Sequence, residues 1–247
     1  MNKLSRGLVI LSGLILVWEA IVLFFQLPPY ILPSPWLVAK SLQLNWHLIL
    51  TESLPTVIET LLGLLLGVIF GCLAALIMAF FRPARMWMLP VLIISQAIPT
   101  FAIAPLLVIW FGFGMASKIV TTIMMLFFPI TSAFFDGLRR TDPGWLDLAK
   151  TLKATKMQIF WRIRIPAALP SLASGLRVAT AIAPIGAVVG EWVGASRGVG
   201  YLMMNANARM QIDLMFAALI SIILFSLILY FSIDKLLRVA IYWQTEG

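Results

Sequence analysis

The apolar residues of this chain neither alternate along strands nor keep to one helical face; they come in blocks. Six blocks stand out, at 8–27, 58–81, 86–111, 117–135, 173–194 and 214–237. Each is close to the ~20 predominantly apolar residues that a membrane-crossing helix needs. The stretch 61–81 has no charge and carries Gly63, Gly67 and Gly71 at four-residue spacing, a ladder that permits close helix packing. The third block carries Pro90, Pro99 and Pro105, which predict a kinked or broken helix buried among its neighbours. Only residues 178–190 separate Arg177 from Glu191, too few to cross, so the fifth helix must take in one or both charges. The first block follows Lys3 and Arg6 and runs to Phe25 without a small-residue cleavage signal, which predicts an uncleaved signal-anchor.

Composition agrees with that pattern. Of 247 residues, 62% are hydrophobic and 11% charged, where water-soluble domains carry roughly 25% charged residues. The expectation is an all-α polytopic membrane protein, one domain over residues 1–247, with six transmembrane helices. One cysteine, Cys72, and one histidine, His47, exclude an internal disulfide and a histidine-rich metal cage. The chain holds no G-x-x-x-x-G-K-[ST] phosphate loop, Ser/His/Asp set, paired carboxylates or metal-ligand cluster. It is therefore expected to be no enzyme and to bind no cofactor or metal of its own. Energy for any uphill work must come from another polypeptide or from an ion gradient.

Orientation follows from Lys and Arg in the loops. With the N-terminus inside, the inner segments hold thirteen: Lys3, Arg6, Arg82, Arg85, Arg139, Arg140, Lys150, Lys153, Lys156, Arg162, Arg164, Lys235 and Arg238. The outer segments hold Lys40, Lys118, Arg197 and Arg209. Both ends are thus expected on the cytoplasmic side. The net charge of +8 is what topology requires, and nucleic acid is not an expected partner.

Seven of those basic residues fall in one inner loop, 136–171. Asp142 suits an N-cap and Pro143 a first helical position. Trp145, Leu148, Ala149 and Leu152 then form one apolar stripe at i, i+3, i+4, i+7. Met157, Phe160 and Trp161 continue the pattern until Pro166 and Pro170 stop or bend the chain. Two short amphipathic helices across the inner face, joined near 154–156, are predicted. On pattern alone they fit two roles: an interfacial pair against anionic membrane lipid, or a docking surface for a cytoplasmic protein.

Ionisable residues inside spans are functional candidates by default: Glu19, Glu59, Arg177 and Glu191. Glu191 precedes WVGASRGVGYLM, a segment suited to a re-entrant or gate loop, and reads as a gate or loop-anchoring carboxylate. Arg177 reads as a snorkelling or loop-anchoring residue. A translocation path would use Ser95, Gln96, Pro99 and Thr100 of the third span, with Thr180, Pro184, Gly186, Gly190 and Glu191 of the fifth. Six helices barely enclose a pore, so a second copy is expected to face the first. A secondary transporter or channel would also use intramembrane charge, although the paired broken helices of such carriers have no counterpart in an internal repeat here.

The basic loop resembles the EAA signature of ABC-importer permeases, E-A-A, three residues, G, nine residues, I-x-L-P. Asp147-Leu148-Ala149 stands at E-A-A, Lys153 at the glycine, and Ile163-Arg164-Ile165-Pro166 at I-x-L-P. A glycine there permits a left-handed turn, which Lys does not take cheaply, so a more helical turn is expected. ILPSPWLV (31–38), DGLRRTDP (136–143) and IGAVVGEWVGASRGVGYLM (185–203) are similar to the branch that carries sulfonates, taurine, nitrate and thiamine-precursor pyrimidines, most of all the hydroxymethylpyrimidine permeases. The resemblance implies a multi-pass subunit of a bacterial inner membrane. Its implied partners are two cytoplasmic ABC ATPases holding ATP and Mg, an external solute-binding protein and a second permease copy. It assigns ATPase coupling to Trp145, Asp147, Leu148, Ala149, Leu152, Lys153, Ile163 and Pro166.

Overall fold

The computed structural model describes residues 3–243; Met1, Asn2 and residues 244–247, which the expected domain includes, lie outside them. The described residues form α1 Lys3–Phe24, α2 Pro35–Leu44, α3 Trp46–Phe80, α4 Arg82–Ala97, α5 Thr100–Phe111, α6 Met115–Arg139, α7 Pro143–Thr151, α8 Lys156–Ile159, α9 Ile165–Gly194, α10 Val199–Ala208 and α11 Ile212–Ala240. A π-helical turn, Phe160–Arg164, joins α8 to α9, and these residues include no strand. Five helical stretches are long and apolar enough to cross a membrane, and α4 with α5 makes a sixth if taken as one span bent by 104°.

That bend sits at Pro99. Ile98 before it is extended, φ −89° and ψ 117°, because a proline ring disfavours helical geometry in the preceding residue. Pro90 and Pro105 lie inside continuous helices instead. The expectation that this broken span is buried is met only in part in the single chain, by Ala104, Leu107 and Val108 of α5. Leu92 is the buried residue of α4, while Trp87, Val91, Ile93, Ile94, Phe101, Ile109 and Trp110 are exposed. The fifth span does take in both charges: α9 runs through Arg177 and Glu191 without interruption.

The chain divides into two compact units. One comprises residues up to Thr56 together with Ser196–Leu224. Its core joins Val38 of α2, Ile49 of α3, Val199, Leu202 and Ala206 of α10, and Leu214, Ala217 and Ala218 of α11. Trp18 of α1 packs on Phe216 and donates its indole N–H to the Pro33 carbonyl at 3.1 Å. The glycine-rich segment expected as a gate loop enters a helix here. Gly198, at φ 118°, donates its N–H to Glu52 Oε2 at 2.6 Å, and Val199 donates to Thr56 Oγ1 at 2.9 Å. Side chains of α3 thus satisfy two of the amides that every helix start leaves open. A carboxylate that anchors this segment, unnamed by the sequence reading, is Glu52.

The other unit comprises Val57–Ala195 and the chain from Phe225 onward. Here α6 lies against both α3 and α9 through small residues. A Cβ on Gly63 would stand 2.5 Å from Thr122 Cγ2, and one on Gly71 2.8 Å from Ile130 Cγ2. From α9, a Cβ on Gly186 would meet Thr122 Cα at 2.9 Å, and one on Gly190 would meet Lys118 Cα at 2.9 Å. Lipid tails are as apolar as leucine, so such close backbone packing, rather than burial from water, holds membrane helices together. Leu64, Leu126, Ile130, Ala179 and Ala183 fill the middle of this stack. Met78, Phe134, Phe135, Leu138, Phe160 and Ala168 fill the end next to the basic loop.

Candidate functional site

The basic loop begins as its sequence requires. Asp142 Oδ1 accepts the Gly144 N–H at 2.7 Å, and Pro143 occupies the first turn of α7. Ala149 is buried and fastens the helix, while Trp145, Leu148 and Leu152 remain 59%, 61% and 73% exposed. Asp147 pairs with Lys150 at 2.7 Å on the open surface, an arrangement of little energetic weight. The protein therefore presents Trp145 and Leu148 on a capped, nine-residue helix and Leu152 at its C-cap.

Lys153 corrects the expectation of a more helical turn. It adopts φ 57°. The Ala154 N–H donates to the Ala149 carbonyl, and the Lys153 N–H to the Lys150 carbonyl, both at 2.9 Å. This pair of bonds is the Schellman closure that usually takes glycine, and its hydrogen bonds offset the cost of a left-handed lysine. The second helix opens with a capping box. Thr155 Oγ1 accepts from Gln158 N–H at 3.3 Å, and Gln158 Oε1 accepts from Thr155 N–H at 2.8 Å. The sequence signal, Thr-x-x-Gln, was there to be found.

Pro166 and Pro170 do not stop that helix. Pro166 lies in the first turn of α9 and Pro170 within it, so 156–194 is one helical stretch. The widened π turn immediately before Pro166 relieves the clash that a proline ring makes with the carbonyl four residues back. Ile163 and Pro166, both half-buried, line an open groove of about 660 Å³ with Trp145, Arg162 and Trp243. A second open groove, about 670 Å³, is lined by Trp145, Leu148, Ala149, Leu152, Lys153 and Ile163 among others. The loop residues named from sequence thus line these two grooves, except Asp147, which lines neither.

The residues expected along a path divide into two sets. Gln96 and Pro99 are exposed at the α4–α5 break; Ser95 is half-buried and donates to the Leu92 carbonyl at 2.7 Å. Thr180, Pro184, Gly190 and Glu191 are buried within the chain, and Thr180 donates to the Leu176 carbonyl at 2.7 Å. The open face of α9 carries Val178, Ala181, Ile185 and Trp192 instead. Glu191 is 1% exposed and faces Glu59. Glu59 is also 1% exposed and pairs with Lys118 Nζ at 3.1 Å. Lys118, expected in an outer loop, is a buried residue of α6. Arg177 is fixed by Asp234 of α11 at 2.6 Å, and Asp234 also pairs with Arg238 at 2.8 Å. Sequence reasoning missed both partners, since neither pairing leaves a local signal.

Apolar helices of this length with a broken span and a basic internal helical loop fit a multi-pass membrane protein. In fold it is similar to the chain of a solved amino acid ABC transporter, TM-score 0.65 at 17% identity, covering 83% of this chain and 98% of that one. The chain belongs to the family of binding-protein-dependent transport system inner membrane components, which matches residues 63–239. It is 52% identical to a probable ABC transporter permease protein of Haemophilus influenzae, over 96% of each chain. It is 35% identical to the formylaminopyrimidine transport permease protein ThiX of Halalkalibacterium halodurans, over 94% of this chain and 93% of that protein. It is a multi-pass membrane permease, a transport component rather than an enzyme, and membership implies an ATPase and a solute-binding protein as partners.

Proposed function

We propose that this chain forms the membrane passage of an ATP-driven importer, working as two identical copies with two cytoplasmic ATPases that hold ATP and Mg. Solute arrives from an external binding protein. Both chain ends face the cytoplasm, on the side of the thirteen basic loop residues, while Lys40, Arg197 and Arg209 face outward. The observation that carries the reading is the exposure of Trp145, Leu148 and Leu152 on a helix capped at both ends. Apolar knobs held this firmly suit a cleft on a protein, and the flanking Lys and Arg set its register. Asp147, Ala149, Lys153, Ile163 and Pro166 shape and brace that surface. Because α7 is joined to α9 through one continuous helix from 156, motion at the loop reaches the membrane core directly.

The passage lies between the two copies. The α4–α5 break supplies Ser95, Gln96 and Pro99, and α9 supplies its open face backed by Thr180, Pro184, Gly190 and Glu191. The solute is a thiamine-precursor pyrimidine; the 35% identical relative named for formylaminopyrimidine transport supports this choice. The test is reconstitution. Vesicles holding this chain with its ATPase and binding protein take up a formylaminopyrimidine when given ATP, and vesicles holding the chain alone take up none under a proton or sodium gradient. Gradient-driven uptake by the chain alone overturns the importer reading in favour of a secondary carrier. ATP-driven uptake of a sulfonate but not of the pyrimidine overturns the choice of solute alone.

A further inference from the structure

Separate from the two grooves around Trp145 is a depression of about 390 Å³ where the end of α3 meets the basic loop. Three cations line it, Lys150, Lys156 and Arg164, against an apolar wall that includes Phe80, Phe160 and Met157. No carboxylate lines it. Phe80 and Phe160 stack with ring centroids 4.0 Å apart. The Arg164 Nε is buried and has no hydrogen-bond partner among the described residues. Lys156 makes no ion pair among them either. Lys150 is already paired with Asp147 at 2.7 Å; Lys156 and Arg164 have no carboxylate partner among the described residues and repel each other across the hollow. That repulsion is relieved if an anion with several oxygens sits in the hollow between Lys156 and Arg164.

The surface leading to this hollow is apolar. Ile69, Leu73, Ile77 and Phe80 fall at i, i+4, i+8 and i+11 on α3, each 43–50% exposed. They make a stripe roughly 16 Å long at 1.5 Å per residue, ending at the cations. We infer that the hollow binds the phosphodiester headgroup of an anionic phospholipid, with an acyl chain lying along this stripe. A free phosphate would use the cations but not the stripe. A protein docked on α7 has the Trp145 grooves, which Phe80 does not line. The inference rests on the membrane placement of α3 and not on the docking role of α7, so the two fail separately. Its consequence is that the coupling loop is braced by bilayer composition as well as by its own hydrogen bonds.

The experiment places the full-length permease in nanodiscs of equal parts phosphatidylglycerol and phosphatidylcholine and counts the lipids retained by native mass spectrometry. The wild-type chain retains phosphatidylglycerol in preference. Lys156→Gln lowers that retention about fivefold, and Lys156→Gln with Arg164→Gln lowers it further, as removing cations at an anionic surface predicts. Arg140→Gln, which takes the same charge from another part of the loop, leaves retention unchanged. Lys156 is exposed, so its variant folds and carries the test should the Arg164 variant fail to fold. Equal retention of the two lipids, or no loss on Lys156→Gln, overturns the inference. So does release of the lipid by inorganic phosphate at comparable concentration, or by the ATPase subunit, since either outcome gives the hollow to a different ligand.

Discussion

The surface around Trp145 and the cluster around Lys118 invert each other. At the first, large apolar side chains stand in the open and charges surround them. At the second, two carboxyls and an ammonium are sealed among helices whose outer faces are apolar. Each arrangement is costly alone, and each cost says what the region is for. Open tryptophan and leucine on a rigid helix are offset only by a partner that covers them. Buried charge is tolerated where opposite groups hold several helices in one register, here α3, α6 and α9. On the proposed reading a docked protein completes the first region, whereas the second closes on itself, apart from Glu59 Oε2, which is buried without a hydrogen-bond partner among the described residues.

The most direct way to break that contrast is Trp145→Glu. It adds a charge where a cleft would close, so ATP-driven uptake falls to background while the membrane level of the protein is unchanged. Uptake in reconstituted vesicles and the amount of inserted protein measure the two halves of this prediction. Retained transport would mean that the exposed stripe meets headgroups rather than a protein.

The contrast also explains what could be read from the sequence. Signals carried by neighbours along the chain were legible: the Asp142–Pro143 helix start, the Gly63–Gly67–Gly71 ladder, the break in the third span, and a fifth helix forced to swallow Arg177 and Glu191. Pairings across the bundle were not. Lys118 lies at the start of a span, where composition alone makes it a loop residue; only Glu59, 59 positions earlier, shows otherwise. Asp234 sits 57 positions from Arg177. The loop prolines misled for a related reason. Pro166 forbids an ordinary helical bond, yet the π turn before it removes the clash, and nothing in the composition of Phe160–Arg164 announces one; Pro170 is simply accommodated inside α9.

The buried cluster is sharpened by Lys118→Met. Removing the ammonium leaves the Glu59 and Glu191 carboxyls facing each other without a cation, a loss of about 3–5 kcal/mol for breaking one side of a buried pair. The melting temperature in detergent falls sharply. Pairing Lys118→Met with Glu59→Gln recovers part of the loss, because one of the two facing carboxyls is then neutral while Glu191 stays buried. A Lys118→Met protein as stable as wild type would sink the view that this cluster fixes the helices.

Gly186→Ala has a smaller effect. Its new Cβ would stand 2.9 Å from the Thr122 backbone, which unlike a flexible side chain has nowhere to swing. Parting α6 from α9 by the needed fraction of an ångström costs about 1–3 kcal/mol, in the range of overpacked cores. Gly144→Ala, whose nearest neighbour is the Asp142 carboxylate at 3.2 Å on the open surface, serves as the control and shifts melting less.

The smallest effect belongs to Lys153, and it separates shape from chemistry within the basic loop. A left-handed lysine carries a penalty of roughly 1–2 kcal/mol that glycine does not, while glycine gives back about 0.4–1 kcal/mol through a freer unfolded chain. Lys153→Gly therefore raises stability by about 0–1.6 kcal/mol, and Lys153→Val, whose branched Cβ suits φ 57° worst, lowers it. Uptake by the glycine variant is the informative number. If it equals wild type, the residue serves only to turn the chain between α7 and α8. If uptake falls while stability rises, the lysine that lines the groove with Trp145 and Leu152 is itself read by the partner, and the departure from glycine at this position is part of how the two proteins choose each other.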